Sequence, residues 1–176
     1  YFAGKDGGFY QFVKSEIDSN IGYTDGVPFI QNSINYPLKS DEKIKGFSYG
    51  YLSKRGEIRC PEGIKSQNTL YELGCNWVCL SVVNYQKAFY STDIHADYLN
   101  TPTDRDIAYF VKNAHSKSIK VCLKPMLNSE DNMWRAHIGF PDLNMDDMDI
   151  YWSKWFKSYN AYILHYAELA EELKCE

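Results

Sequence analysis

A chain of 176 residues fits a single domain, and its formal net charge of −4 lacks the basic field through which proteins neutralise phosphate, so nucleic-acid binding is excluded as a leading class. No apolar run approaches the roughly 20 residues that cross a bilayer, which argues against a membrane helix. The 44% hydrophobic content suffices for a core, and the 16% aromatic content, with 15 Tyr, 9 Phe and 4 Trp, suits either core packing or the stacking of flat ligands.

Five cysteines, Cys60, Cys75, Cys79, Cys122 and Cys175, are an odd number without a CxxC pair. They fit neither a disulfide framework nor a structural zinc site, so free, mostly buried thiols are expected, and no cofactor or metal is implied. Residues 1–20 carry charges throughout and no apolar signal core. Because the sequence starts at Tyr1, location stays open, with an extracellular or cell-surface setting favoured over the cytoplasm.

In chain order, residues 1–44 are punctuated by Gly4, Gly7, Gly8, Gly22, Gly26, Pro28 and Pro37 and read as an irregular N-terminal extension of turns and extended pieces. From residue 45 the texture becomes an alternation of strand and helix. Lys45 to Tyr51 alternates Phe47, Tyr49 and Tyr51 with small residues, the period of a strand. Pro61 to Leu73 reads as a helix, with Pro61 suited to its first turn and Gly74 to a left-handed stop. Asn76 to Val83 is an almost continuous apolar run, as in a strand buried on both faces of a parallel sheet. Thr103 and Asp106 form an acidic capping box ahead of a second helix, whose Ile107, Phe110, Val111 and Ala114 share one face. Ile119 to Met126 is a third strand. A third helix is expected from near Asp149, with Asp146, Asp147 and Asp149 at its positive end. Its buried stripe is read as Trp152, Trp155, Phe156, Tyr159, Ile163, Tyr166, Ala167 and Ala170.

Such alternation argues for a parallel α/β sheet, closed either as a doubly wound sheet or as a (β/α)8 barrel. The three units average about 44 residues, so eight would take about 350, inside the range of about 200 to more than 400 residues for barrels. Function in either architecture gathers at the carboxyl ends of the strands. There the sequence offers rings (Tyr51, Tyr85, Tyr90, Trp134) and donors (Arg55, Gln86, Lys124, Asn128, Arg135), a mixture suited to a polyhydroxylated ligand such as a sugar. The residues expected to bind substrate are Tyr51, Asn84, Gln86, Lys124, Trp134 and Arg135. Lys124, near the end of an otherwise apolar strand, needs a partner or a wet cleft. Asp93, His95 and Asp97 alternate as metal ligands do, but no second histidine supports them and a solvated loop is the simpler reading. His165 and Glu168 lack the HExxH spacing, and no complete catalytic set is found.

Several blocks together, GFSYGYLSKRGE (46–57), LYELGCNWVCLSVV (70–83), STDI (91–94), AHSKSIKVCLKPML (114–127), WRAHI (134–138) and WSKWFKSYNAYILHYAELAEEL (152–173), resemble the N-terminal part of glycoside hydrolase family 113. The resemblance implies a (β/α)8 barrel, with residues 45–176 as the N-terminal part of its catalytic barrel, and retaining endo-hydrolysis of β-1,4-mannosidic linkages. It also implies an acid/base glutamate at the end of the fourth strand and a nucleophile at the end of the seventh. Glu176 would lead into that fourth strand, so no residue of the chain is assigned a catalytic role. The implied partners are a β-linked polysaccharide or oligosaccharide and the remainder of the barrel. A non-catalytic carbohydrate-binding or scaffold protein is the alternative. A small nucleotide- or flavin-binding domain is disfavoured by the lack of a glycine-rich phosphate loop.

Overall fold

The computed structural model describes residues 21–24, 27–30, 43–141 and 144–176. The chain divides into two compact units, residues 1–43 and 44–176. In the first, β1 (Ile21–Thr24) and β2 (Val27–Ile30) pair antiparallel, with Ile21 opposite Ile30 and Thr24 opposite Val27. Of the region read as an irregular extension, residues 1–20, 25–26 and 31–42 lie outside the described residues.

The second unit holds a three-stranded parallel sheet in the order β3 (Gly46–Tyr49), β4 (Trp77–Gln86) and β5 (Lys120–Ser129). Each strand leads into a helix: α1 (Pro61–Glu72), α2 (Asp104–His115) and α3 (Met145–Leu173). The strand limits differ from the sequence reading. β3 is shorter, and its last residues turn away at Gly50, whose φ of +81° and close approach to Leu80 leave no room for a side chain. β4 and β5 run three residues further, because their ladder continues through Asn84 opposite Leu127, Tyr85 opposite Asn128 and Gln86 opposite Ser129.

Helix boundaries follow local chemistry. Pro61 opens α1, where its missing N–H costs nothing, and Gly74 follows it at a φ of +75°. The Thr103 hydroxyl accepts from the Asp106 amide while the Asp106 carboxylate accepts from the Thr103 amide, closing the capping box of α2. α3 begins at Met145, earlier than expected, because the Asn144 side chain accepts from the Asp147 amide at 2.9 Å and supplies the cap.

Parallel register puts opposed side chains on one face of the sheet. Val78, Leu80, Val82 and Val121 face the helices and are fully buried, together with Ile107, Phe110, Val111 and Ala114 of α2. Tyr49 stacks on Phe110 at 5.0 Å. Each large apolar side chain buried this way contributes about 1.5–3 kcal/mol. On α3, Trp155, Ile163 and Tyr166 are buried as expected, but Phe156 is 51% exposed and Tyr162 is buried in its place. The helix contacts the sheet along a narrower line than the eight-residue stripe implied. Four of the five thiols are half-buried and only Cys75 is buried, since the other four sit on a sheet face or at chain turns rather than in the helix layer.

Asp106 also joins elements. Fully buried, it accepts from Arg59 Nε at 2.5 Å, Thr103 Oγ1 at 2.7 Å and the Gly56 amide at 3.2 Å. Burial works to raise its pKa, yet the bonds from Arg59, Thr103 and Gly56 together hold it below the usual carboxylate range. The segment after β3, with its single helical turn Glu57–Arg59, is thereby fastened to the start of α2.

Candidate functional site

The carboxyl ends of the strands are built from the segments that follow them, and each segment is anchored from below. The segment after β5 is held by a cluster in which Leu127, Phe140 and Trp155 are buried, with Ile94, Ile138, Met148, Trp152 and Tyr159 packed around them. The Phe140 and Trp152 rings meet edge to face at 4.9 Å, and the Gly139 amide donates to the Phe89 carbonyl. Asp131 accepts from the amides of Phe89 and Met133, each at 3.0 Å, which fixes the backbone just before Trp134. The single turn Arg135–His137 then presents its side chains outward.

Two of the residues expected to bind substrate are brought into contact there. Arg135 Nη2 donates to the Tyr51 hydroxyl at 3.1 Å, and its guanidinium lies 5.9 Å from the Tyr51 ring. The contact joins segments 84 residues apart in sequence. Beside Arg135, Trp134 is 68% exposed and touches the His137 ring only edge-on, so most of its face is open. Tyr51 is 53% exposed. Two open rings flanking a guanidinium form a surface on which a sugar ring can stack while its hydroxyls accept from the cation.

Asn84 and Gln86 are placed differently. The sequence reading put them in a loop, but β4 continues through both, and alternation turns them with Val78, Leu80 and Val82 toward the helices. Tyr166 donates to Asn84 Oδ1 at 2.7 Å, and Trp155 Nε1 donates to Gln86 Oε1 at 3.0 Å while the Gln86 amide donates to the Ala88 carbonyl at 2.7 Å. Both amides are buried and hold the aromatic side of α3 against the strand. Lys124 is the fifth of ten residues in β5, not near its end. It is exposed on the concave face, opposite Ser81 and away from the helices.

Between these positions lies a group that sequence reasoning considered only in pieces. Tyr85 exchanges backbone bonds of 2.9 Å with His95, and His95 Nε2 sits 2.9 Å from Glu130 Oε1 and its Nδ1 3.7 Å from Asp93. Burial raises the pKa of the Tyr85 hydroxyl, and nearby Asp97, Tyr51 and Glu130 raise it further. Odd positions of β4 point away from the helices, and that periodicity is the signal that singles out Tyr85. The suggested trio of Asp93, His95 and Asp97 does not converge: Asp97 accepts from the amides of Leu99 and Asn100 and closes its own turn. Arg55 binds the Tyr98 carbonyl and lies 4.5 Å over the Tyr98 ring, tying two segments together.

After α3 the chain turns at Lys174, with a φ of +58°, and lays Glu176 along the outer edge of β5. The Glu176 amide donates to the Val121 carbonyl at 3.0 Å, and the Val121 amide donates to its carboxylate at 3.0 Å. Val121 is the second residue of its strand, so Glu176 lies at the amino end of the sheet, opposite the rim where barrel enzymes work.

Three parallel strands, each followed by a helix, with rings and donors at their carboxyl ends, define the class as parallel α/β proteins built from β/α units. The profile of Glycoside Hydrolase Family 113 matches residues 47–176, and the chain belongs to that family. Among solved structures it is similar to a GH113 β-1,4-mannanase, at 31% identity and a TM-score of 0.69 over 76% of this chain and 43% of that one. It is also similar to the GH113 β-mannanase AaManA from Alicyclobacillus acidocaldarius in complex with ManMIm, at 32% identity and a TM-score of 0.68 over 76% of this chain and 42% of that one. The chain thus spans less than half the length of these structures. No curated protein matches it. The fold is the (β/α)8 barrel, of which residues 44–176 supply three β/α units.

Proposed function

We propose that residues 44–176 form one side of the substrate cleft of a retaining β-1,4-mannanase-like glycoside hydrolase. Tyr51, Trp134 and Arg135 line the rim, and Lys124 stands deeper on the concave face. The observation that carries this reading is the Tyr51–Arg135 contact beside the open face of Trp134, at the rim that the family's barrel uses for chemistry. Asn84 and Gln86 support the rim from the helix side rather than touching sugar. A retaining mechanism needs two carboxylates about 5–5.5 Å apart across the scissile bond, and none of this chain's carboxylates is assigned to that pair. The chain's share is positioning, since a flat ring under the sugar and a cation on its hydroxyls fix the substrate against the cleavage site.

Binding of mannohexaose to the protein, read by calorimetry, tests the proposal. Affinity that exceeds that for cello- and xylo-oligosaccharides, and falls in Trp134→Ala and Arg135→Ala, supports it. Equal affinity in wild type and both variants overturns the site. Mannohexaose bound but left uncleaved by a protein that carries the complete barrel overturns the enzyme reading in favour of a binding module.

A further inference from the structure

Trp134, Arg135 and Lys124 offer a sugar one ring and two cations. Neither cation carries an acceptor, yet every sugar hydroxyl has a proton to place as well as lone pairs to fill. An acceptor is found where the segment after β4 folds back on its own strand. Tyr85 is the ninth of the ten residues of β4, and His95 pairs with it antiparallel through two backbone bonds of 2.9 Å. Directly opposed residues share a face, so the His95 side chain stands with that of Tyr85 on the side away from the helices. That position is at the carboxyl mouth of the strands, where barrel enzymes receive substrate, and not in the packed interior.

Glu130 reaches the same place from β5. Its amide donates to the Gln86 carbonyl at 2.9 Å, which carries the ladder one step past Ser129 and fixes the backbone. Its Oε1 lies 2.9 Å from His95 Nε2, and Asp93 stands 3.7 Å from the other ring nitrogen. The pair is made wholly by the segments after β4 and β5, and it holds the carboxylate in one orientation. Among the described residues Glu130 Oε2 bonds nothing, and Oε1 keeps a lone pair beside His95. The neighbouring carboxylates are spent on backbone: Asp97 accepts from the amides of Leu99 and Asn100, and Asp131 from those of Phe89 and Met133. Tyr51 and Glu130 both act on the Tyr85 hydroxyl, which puts the open acceptor in the neighbourhood of the Tyr51–Arg135 contact.

A β-1,4-linked chain uses O1 and O4 of each inner sugar in its linkages, which leaves O2 and O3 as the vicinal hydroxyl pair. Mannose and glucose differ only at C2, where the hydroxyl is axial in mannose and equatorial in glucose. On the reading that this cleft takes mannan, on which the inference rests, we propose that the Glu130 carboxylate accepts from O2 and O3 of one mannosyl residue and thereby selects mannan over glucan. Glu130 makes the contact, and His95 is a positioning residue that acts through it. A site built to bond a hydroxyl in one place discriminates strongly against a sugar that leaves the buried acceptor unpaired.

The test is calorimetric titration of mannohexaose and cellohexaose, in the cold where turnover is slow, into the protein carrying the complete barrel. Glu130→Ala is expected to weaken mannohexaose about ten- to a hundredfold, since hydrogen bonds to a charged group are lost, and to leave cellohexaose unchanged. His95→Ala should weaken mannohexaose in the same direction, and His95→Gln, which keeps a donor toward Oε1, should restore it. Mannohexaose bound by Glu130→Ala as by wild type, or both sugars weakened equally, overturns the proposal. Failure of His95→Gln to recover what His95→Ala loses overturns the positioning role. Should Glu130→Ala fail to fold, Glu130→Gln, which keeps the size and loses the charge, decides by the same comparison. Trp134→Ala run in parallel separates the two readings: affinity lost there and kept in Glu130→Ala sinks this inference alone, whereas a wild type that binds neither sugar sinks the mannan cleft with it.

Discussion

The two faces of β4 do opposite jobs with alternate residues of one strand. Val78, Leu80, Val82, Asn84 and Gln86 are sealed against the helices, and even their two amides are consumed by Tyr166 and Trp155. On the other face Ser81 and Val83 are buried as well, while Trp77, Cys79 and Tyr85 stay half-buried. A polar residue on a strand is therefore no guide to function until its face is known. Gln86 and Tyr85 are neighbours in sequence, yet one bonds the helix layer through Trp155 and the other pairs with His95 in the segment that follows β4.

Breaking the helix side should cost stability most. Asp106→Asn, which leaves Arg59 facing a neutral amide, is expected to lower unfolding free energy by about 3–5 kcal/mol, read by urea denaturation. Because the folded pKa of Asp106 lies below its unfolded value near 3.9, its stabilisation is complete above that value and is lost as pH falls through the folded pKa. The variant should accordingly show a flatter loss of stability in acid than wild type. Phe110→Ala removes the ring that stacks on Tyr49 and should also cost about 3–5 kcal/mol, with mannohexaose affinity unchanged where the variant remains folded. Gln86→Ala strands the Trp155 indole N–H and should cost about 1–3 kcal/mol by the same measurement. A loss of sugar affinity without loss of stability in Gln86→Ala would return that residue to the binding site.

The smallest change in stability is expected on the open rim. Trp134→Ala should leave the melting temperature within error, since the ring is mostly exposed. It should weaken mannohexaose by about 0.5–1.5 kcal/mol, roughly two- to tenfold, in calorimetric titration. An unfolding penalty as large as that of Gln86→Ala would show that Trp134 packs the loop instead of offering a binding face.

Much of the fold was legible because its signals are local. Pro61, Gly74 and the Thr103–Asp106 box mark helix ends through bonds made within a few residues, and the apolar period of Ile107, Phe110, Val111 and Ala114 names a buried face wherever that helix packs. The sequence also carried the family, through blocks whose order along 46–173 agrees with the matched residues 47–176. What it could not carry were facts set by pairing. Strand ends moved because the ladder between β4 and β5 persists to Gln86 and Ser129. Asn84 and Gln86 are held against the helix layer by partners 82 and 69 residues away.

Sequence alone therefore determined the class, the alternation of strand and helix, and the rings and cations available at the strand ends, because periodicity and capping are written within one or two turns of chain. Only the tertiary structure decided that Arg135 meets Tyr51, that Cys79 faces Cys122, and that Glu176 lies at the amino end of the sheet. Those contacts join distant segments, and the sheet register that sets them is a property of two strands together.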